Sequence, residues 1–367
     1  MNYIKSLDGI RALAITMVIL FHFFYEEIRW GWIGVQIFFT LSGFLITSIL
    51  LENTNKSLKK YLTRFYWRRA IRIFPIYYLY IGAVSIIYIV TASPISFKET
   101  WVYLITYTYN YYPLIALDND RSSIAFPHFW SLCVEEQFYL VWPVIVYFFN
   151  RKQLKYVVCI IIILSPILRF LLADHILSFY SKSEYVVGKI IYQFTLCQLD
   201  SFAFGAAIPI FKLNKNVKNT DKMLLLIFAL MLVIGSIQFF YSTGTSYGIN
   251  YDFNTFGYEM YNMKYGQHVW SYTLLGLFSL LLILNAIRKT FFLKNFLENK
   301  ILVHIGRISY GLYIYHFILS NIFIKLIEYG LNKNLGFITF LIVTYFVSLM
   351  SFKFIEGPLL SKFKNNV

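Results

Sequence analysis

Ser6-Leu-Asp-Gly-Ile-Arg11-Ala-Leu-Ala-Ile-Thr16-Met-Val-Ile-Leu-Phe-His22 is an apolar segment that carries two ionisable side chains. Between Arg11 and His22 only Thr16 is polar. Eleven residues of α-helix advance about 16 Å and turn roughly 1100°, about 20° beyond three full turns. Arg11 and His22 therefore share one face of one helix, one near its entry and one deep. Ionisable groups at membrane depth are costly, and they usually mark a substrate path or a reaction site. Two readings of the pair stand open. Arg11 is an interfacial anchor and His22 bonds a neighbouring helix, or neutral His22 is a general base that takes a proton from a hydroxyl near neutral pH.

The apolar character extends over the whole chain. Of 367 residues, 58% are hydrophobic and 20% aromatic, and the mean hydropathy is +0.60. Soluble domains do not have this composition. Apolar segments fall at 8–26, 33–51, 73–92, 131–149, 156–173, 190–211, 223–241, 269–287, 305–324 and 335–355. Each is near the length a bilayer core requires. The expected fold is an all-α polytopic membrane bundle of about ten transmembrane helices. It is read as one membrane domain over 1–367, with no appended extracytoplasmic domain. The Tyr-rich run 101–117, broken by Pro113, is expected to be partly embedded on the outer side. No small-residue cleavage site follows the first apolar segment, so no cleavable signal peptide is expected.

The formal charge is +15. With the N-terminus inside, the basic clusters around Lys5, Lys56–Arg72, Arg151–Lys155, Lys212–Lys222, Arg288–Arg307 and Lys353–Lys364 all fall on the inner side. They outnumber the outer Lys and Arg by about three to one, in keeping with the positive-inside rule. Both termini are thus expected in the cytoplasm. The charge is an orientation signal toward the lipid bilayer, and no nucleic-acid partner is expected. Cys133, Cys159 and Cys197 lie in apolar runs with neither a disulfide framework nor metal spacing. They read as buried, inert thiols, and no metal site is expected.

Four further constellations can carry chemistry. In Arg64-Phe-Tyr-Trp-Arg68-Arg69-Ala-Ile-Arg72, the pairs Arg69/Arg72 and Arg68/Arg72 have helical i, i+3 and i, i+4 spacing. Converging guanidinium groups match phosphate oxygens. They hold either lipid headgroups or the phosphates of a cytoplasmic donor such as coenzyme A. Glu135 and Glu136 open an otherwise apolar span near the expected outer face. Adjacent helical residues point about 100° apart, so at least one should face the bundle. It would orient an acceptor hydroxyl or pair with an Arg or His. Tyr313 and His316 share one side of a later span, as cavity wall or as satisfied core. Asp200 is a further acid expected to line a cavity or to pair with a base. His128, His175, His268 and His304 sit at loops or span ends and receive no role. Ser42 and Gly43 read as a helix-packing point, since no nucleophile-elbow frame surrounds Ser42.

Taken in order, these segments resemble a known family. They are Leu7-Asp-Gly-Ile-Arg11 to His22; Gly34-Val-Gln-Ile-Phe-Phe-Thr-Leu-Ser-Gly-Phe; Arg69-Ala-Ile-Arg72-Ile-Phe-Pro; Phe129-Trp-Ser-Leu-Cys-Val-Glu135-Glu-Gln-Phe-Tyr; Leu199-Asp-Ser-Phe; Ile308-Ser-Tyr-Gly-Leu-Tyr-Ile-Tyr-His316; and Phe354-Ile-Glu356-Gly-Pro358. The chain is similar to acyltransferase family 3, bacterial inner-membrane O-acyltransferases. The resemblance implies transfer of an acyl group, most often acetyl, from cytoplasmic acetyl-coenzyme A to a hydroxyl of an envelope carbohydrate or lipid-linked saccharide. Coenzyme A would be a substrate, with no bound cofactor. The family's Arg-x10-His motif maps onto Arg11 and His22, its Arg-x-x-Arg motif onto Arg69 and Arg72, and its Trp-Ser-Leu carboxylate onto Glu135, beside Glu136. Position 36 is Gln where many members have Asp, so no acid is claimed there. Some members carry an extracytoplasmic hydrolase-like domain. This chain is expected to deliver the group itself or to hand it to a separate extracytoplasmic partner. Two rival classes share the span count and buried charges: a non-enzymatic flippase of lipid-linked glycans, and a glycan polymerase or ligase.

Overall fold

The computed structural model describes residues 3–90, 97–116, 125–180, 182–243, 253–288 and 292–364. Among them there are helices and no strand. The first nine helices are α1 (Lys5–Phe23), α2 (Ile33–Leu51), α3 (Leu58–Val90), α4 (Phe97–Ile105), α5 (Tyr112–Ala116), α6 (Phe129–Phe148), α7 (Arg151–Tyr180), α8 (Glu184–Gln193) and α9 (Thr195–Ile210). They are followed by α10 (Leu213–Asn216), α11 (Thr220–Thr243), α12 (Gln267–Ala286), α13 (Lys294–Leu297), α14 (Lys300–Arg307), α15 (Ser309–Glu328), α16 (Lys333–Ser351) and α17 (Gly357–Lys364).

Among the described residues, 8 helical stretches are long and apolar enough to cross a membrane. The other two expected spans are α6, with 20 residues and two glutamates, and α9, with 16 residues. The expected span 190–211 is interrupted at Phe194, whose extended backbone (φ −74, ψ 124) separates α8 from α9. Helix α3 has 33 residues and starts well before the expected span at 73. The cause is that Lys, Arg, Leu and Tyr propagate a helix as readily as apolar residues do. The run Arg64–Arg72 therefore belongs to the helix itself.

The chain divides into two compact units. The first holds residues up to Leu51 and Phe148–Gly306. There α2 and α9 meet backbone to backbone: a Cβ on Gly43 would strike the Phe202 carbonyl, and one on Gly205 the Thr40 carbonyl. Small residues permit such approach where apolar burial gives no drive between helices in lipid. The Gln36 amide donates to Gln198 Oε1 (2.8 Å) and accepts from the Ser201 hydroxyl (2.6 Å). The residue that departs from the family pattern is thus a clasp between α2 and α9. Arg169, which the sequence reading passed over, is fully buried on α7. It donates to Asp200 on α9 at 2.8 and 3.2 Å, and to the carbonyls of Cys197 and Val269. Thr273 on α12 donates to the same carboxylate at 2.6 Å. A charge at this depth needs a partner, and this one joins three helices. Cys133 and Cys197 are buried as expected, but Cys159 is exposed on α7. Tyr156, Ile160 and Ile163 are exposed beside it, an apolar face suited to lipid.

The second unit holds Glu52–Tyr147 and the chain from Arg307 onward. Helices α3 and α6 lie antiparallel. The Tyr61 and Tyr66 hydroxyls of α3 donate to the carbonyls of Pro143 and Leu140, and Tyr77 stacks on Phe129 with ring centroids 4.8 Å apart. The described part of the Tyr-rich run, 101–116, is made of short helical pieces. Gln137 of α6 pins it, donating to the Tyr107 carbonyl and Asn110 Oδ1 at 2.8 Å each while accepting from the Tyr111 hydroxyl. The Tyr310 hydroxyl ties α15 to α3 through the Ile73 carbonyl (2.8 Å). A π-turn over Phe352–Glu356 joins α16 to α17.

Candidate active site

In the first unit, α1 runs unbroken through Arg11 and His22, so the one-face reading holds. Both side chains are half-buried, and Thr16 is exposed on the opposite side. Arg11 Nη1 donates to Asp8 Oδ1 at 2.6 Å, and the Tyr3 hydroxyl donates to Oδ2 at 2.6 Å. Asp8 is buried beneath them. The Arg11 charge is therefore balanced within its own helix turn. His22 Nδ1 lies 2.9 Å from the Val18 carbonyl. A carbonyl only accepts, so Nδ1 carries the proton, and in the neutral ring Nε2 then bears the lone pair. In that tautomer Nε2 is the basic ring nitrogen.

In the second unit, Arg69 and Arg72 stand about 16 and 21 Å along α3 from its start. The Arg69 guanidinium lies over the Tyr139 ring, 5.1 Å from its centroid. The Tyr139 hydroxyl in turn donates to Glu135 Oε2 at 3.3 Å. Arg69 is within electrostatic range of both Glu135 and Glu136. Arg69, expected on the inner side, and Glu135 and Glu136, expected near the outer face, therefore lie in one cluster. The reason is the early start of α3, which carries the arginines alongside α6. Neither Arg69 nor Arg72 donates a hydrogen bond to any described residue, so their N–H groups are available to an anion. Arg68 and Arg72 are exposed and Arg69 is half-buried. Glu136 Oε1 is buried without a hydrogen-bond partner.

The remaining expected residues are structural in their contacts. The Tyr313 hydroxyl bonds the Ser131 hydroxyl and donates to the His128 carbonyl at 2.9 Å, tying α15 to α6. His316 is fully buried, with Nδ1 2.8 Å from the Tyr313 carbonyl. Asp200 is closed off by Arg169, the base-paired alternative of its two readings. Among the described residues no three His, Cys, Asp or Glu side chains gather as a metal site. Sequence reasoning gave no role to Asp8 and Tyr139, which join these clusters. Only Asp8 had a local signal, the i, i+3 spacing to Arg11.

The chain is 27% identical over 367 residues to a protein of Listeria monocytogenes named peptidoglycan O-acetyltransferase OatA, covering 98% of this chain and 56% of that relative. It is 25% identical over 376 residues to O-acetyltransferase OatA of Staphylococcus aureus, covering 98% of this chain and 58% of the relative. The chain thus spans a little over half the length of these relatives. No solved structure gives a significant match. A family model described as an acyltransferase domain matches residues 4–352. With its motifs in order on a helical bundle and its match nearly end to end, the chain belongs to this acyltransferase family, acyltransferase family 3.

Proposed function

We propose that the protein is a multi-pass O-acyltransferase of the bacterial cytoplasmic (inner) membrane. It moves an acyl group, acetyl foremost, from cytoplasmic acyl-coenzyme A to a hydroxyl of an envelope glycan or lipid-linked saccharide. The observation that carries this reading is His22: a half-buried imidazole whose Nδ1–H is committed to the Val18 carbonyl. Family membership and the names of the relatives support it. The name of the Listeria relative makes peptidoglycan the first acceptor to test.

Arg69 and Arg72 hold the donor's phosphates through charge-assisted hydrogen bonds. His22 Nε2 takes the proton of the acceptor hydroxyl as its oxygen attacks the thioester carbonyl. The tetrahedral intermediate collapses, the C–S bond breaks, and the coenzyme A thiolate recovers the proton from the imidazolium. A variant route passes the acyl group through an acyl-imidazole on His22. Arg11, balanced by Asp8, places the thioester end. Glu135 orients the acceptor hydroxyl.

The test compares alkali-labile O-acyl esters on envelope glycans, by mass spectrometry, in a deletion strain complemented with wild type or His22→Ala. Membrane levels of both proteins are checked by blot. Ester restored only by wild type supports the proposal, and its position identifies the acceptor. Full restoration by His22→Ala removes His22 from the chemistry. Unchanged ester with altered glycan export or length replaces the acyltransferase reading by a flippase or polymerase.

A further inference from the structure

Glu356 is a buried carboxylate that nothing above uses. It is 5% exposed, and its Oε1 has no hydrogen-bond partner. It ends the only π-turn among the described residues, Phe352–Glu356. Such turns insert an extra residue into a helix, re-aim the side chains that follow, and concentrate at functional sites. A buried carboxylate oxygen without a donor is costly and calls for an explanation in ligand or chemistry. Two neighbours indicate which ligand. Glu356 lies within electrostatic range of Arg72, yet no ion pair joins them. Tyr310, whose hydroxyl is committed to the Ile73 carbonyl, lies within electrostatic range of both Glu356 and Glu136. An exposed guanidinium with no hydrogen-bond partner among the described residues and a buried carboxylate without a donor therefore stand in one neighbourhood. A ligand that satisfies both carries an anionic group for Arg72 and a neutral O–H or N–H donor for Glu356.

We propose that Glu356 is a further substrate-contacting residue, whose carboxylate accepts a hydrogen bond from a hydroxyl or amide N–H of the same ligand whose phosphates lie on Arg69 and Arg72. The inference rests on the donor-binding role given to those arginines. Coenzyme A has the required chemistry, since its pantetheine arm carries one hydroxyl and two amide N–H groups beyond the phosphates. Inorganic pyrophosphate offers the phosphate chemistry alone.

The test titrates coenzyme A and, separately, pyrophosphate into the full chain in lipid nanodiscs by calorimetry. Wild type, Glu356→Ala and Glu356→Gln are compared, each checked for a wild-type gel-filtration profile. Glu356→Ala is expected to weaken coenzyme A at least about tenfold, the worth of one hydrogen bond to a charged group. Its pyrophosphate affinity is expected to be unchanged or tighter, because a negative charge beside Arg72 is gone. Glu356→Gln keeps one acceptor oxygen and should weaken coenzyme A by less, again sparing pyrophosphate. If Glu356→Ala does not fold, the glutamine variant decides alone. Unchanged coenzyme A affinity in the folded variants overturns the inference and leaves the donor role of the arginines standing. Equal weakening of both probes also overturns it, assigning Glu356 to the support of Arg72. Wild type that binds neither probe removes the donor reading itself, and this inference with it.

Discussion

At the scale of single residues, two side chains have sharply different expected phenotypes. His22→Ala is expected to lower ester formation by about 10²- to 10⁴-fold, the usual worth of a positioned base. His22→Gln should do no better, since an amide bonds the Val18 carbonyl but takes no proton. A flippase would tolerate that glutamine. Arg72→Ala is expected to raise the KM for acyl-coenzyme A roughly 10- to 100-fold with a smaller effect on kcat, as expected for one to two charge-assisted hydrogen bonds. Steady-state kinetics in nanodiscs reads that split. A kcat loss at unchanged KM would move Arg72 out of donor binding. The Arg11/His22 pair was legible in the sequence because both residues sit on one helix, whose geometry is known beforehand. The partners of Arg69 were not. Tyr139 lies 70 positions further on, and only the packing of α3 on α6 brings them within 5.1 Å of ring to guanidinium.

Between helices, polar contacts in an apolar setting set the stability. The Arg169–Asp200 pair has no exposed surface on either side chain. Breaking such a pair on one side leaves a buried charge and costs about 3–5 kcal/mol. Arg169→Ala should therefore lose most folded protein, whereas Arg169→Met combined with Asp200→Leu should recover much of it. Chemical denaturation of the purified protein measures both. A single variant as stable as wild type would show that the pair does not hold α7, α9 and α12 together. The glycine contact between α2 and α9 leaves less latitude. Gly205→Leu places a side chain on the Thr40 carbonyl and is expected to abolish accumulation in the membrane, whereas Thr16→Ala, on an exposed face of α1, should not. Gln36 shows how the sequence misleads at this scale. It read as a missing acid, yet its amide uses both a donor and an acceptor to link α2 to α9. Such two-sided bonding cannot be seen without the neighbouring helix.

For the whole molecule, the charge distribution makes the remaining prediction. If the N-terminus is cytoplasmic, the α15–α16 connection lies outside. Tyr329 there is 88% exposed. Tyr329→Cys, in a background with Cys159→Ser, should react in intact cells with a membrane-impermeant maleimide. Lys59→Cys, in the connection's opposite-side counterpart at the start of α3, should react only after lysis. The reverse pattern would invert the topology.

What the sequence by itself determined was the class of structure and where the chemistry-bearing motifs lie along the chain. Hydropathy and helical periodicity are local properties, and a bilayer leaves the backbone few ways to satisfy its hydrogen bonds. Expected spans such as 131–149 accordingly match observed helices such as Phe129–Phe148. What only the tertiary structure decided was which buried polar groups meet. It closed Asp200 with Arg169, put Tyr139 between Arg69 and Glu135, and placed Glu356 near Arg72 on a π-turn. Those pairings depend on the lengths, start points and relative rotations of helices distant in sequence. Hydropathy marks only where the apolar part of a helix such as α3 begins, and packing on α6 decides what its polar part meets.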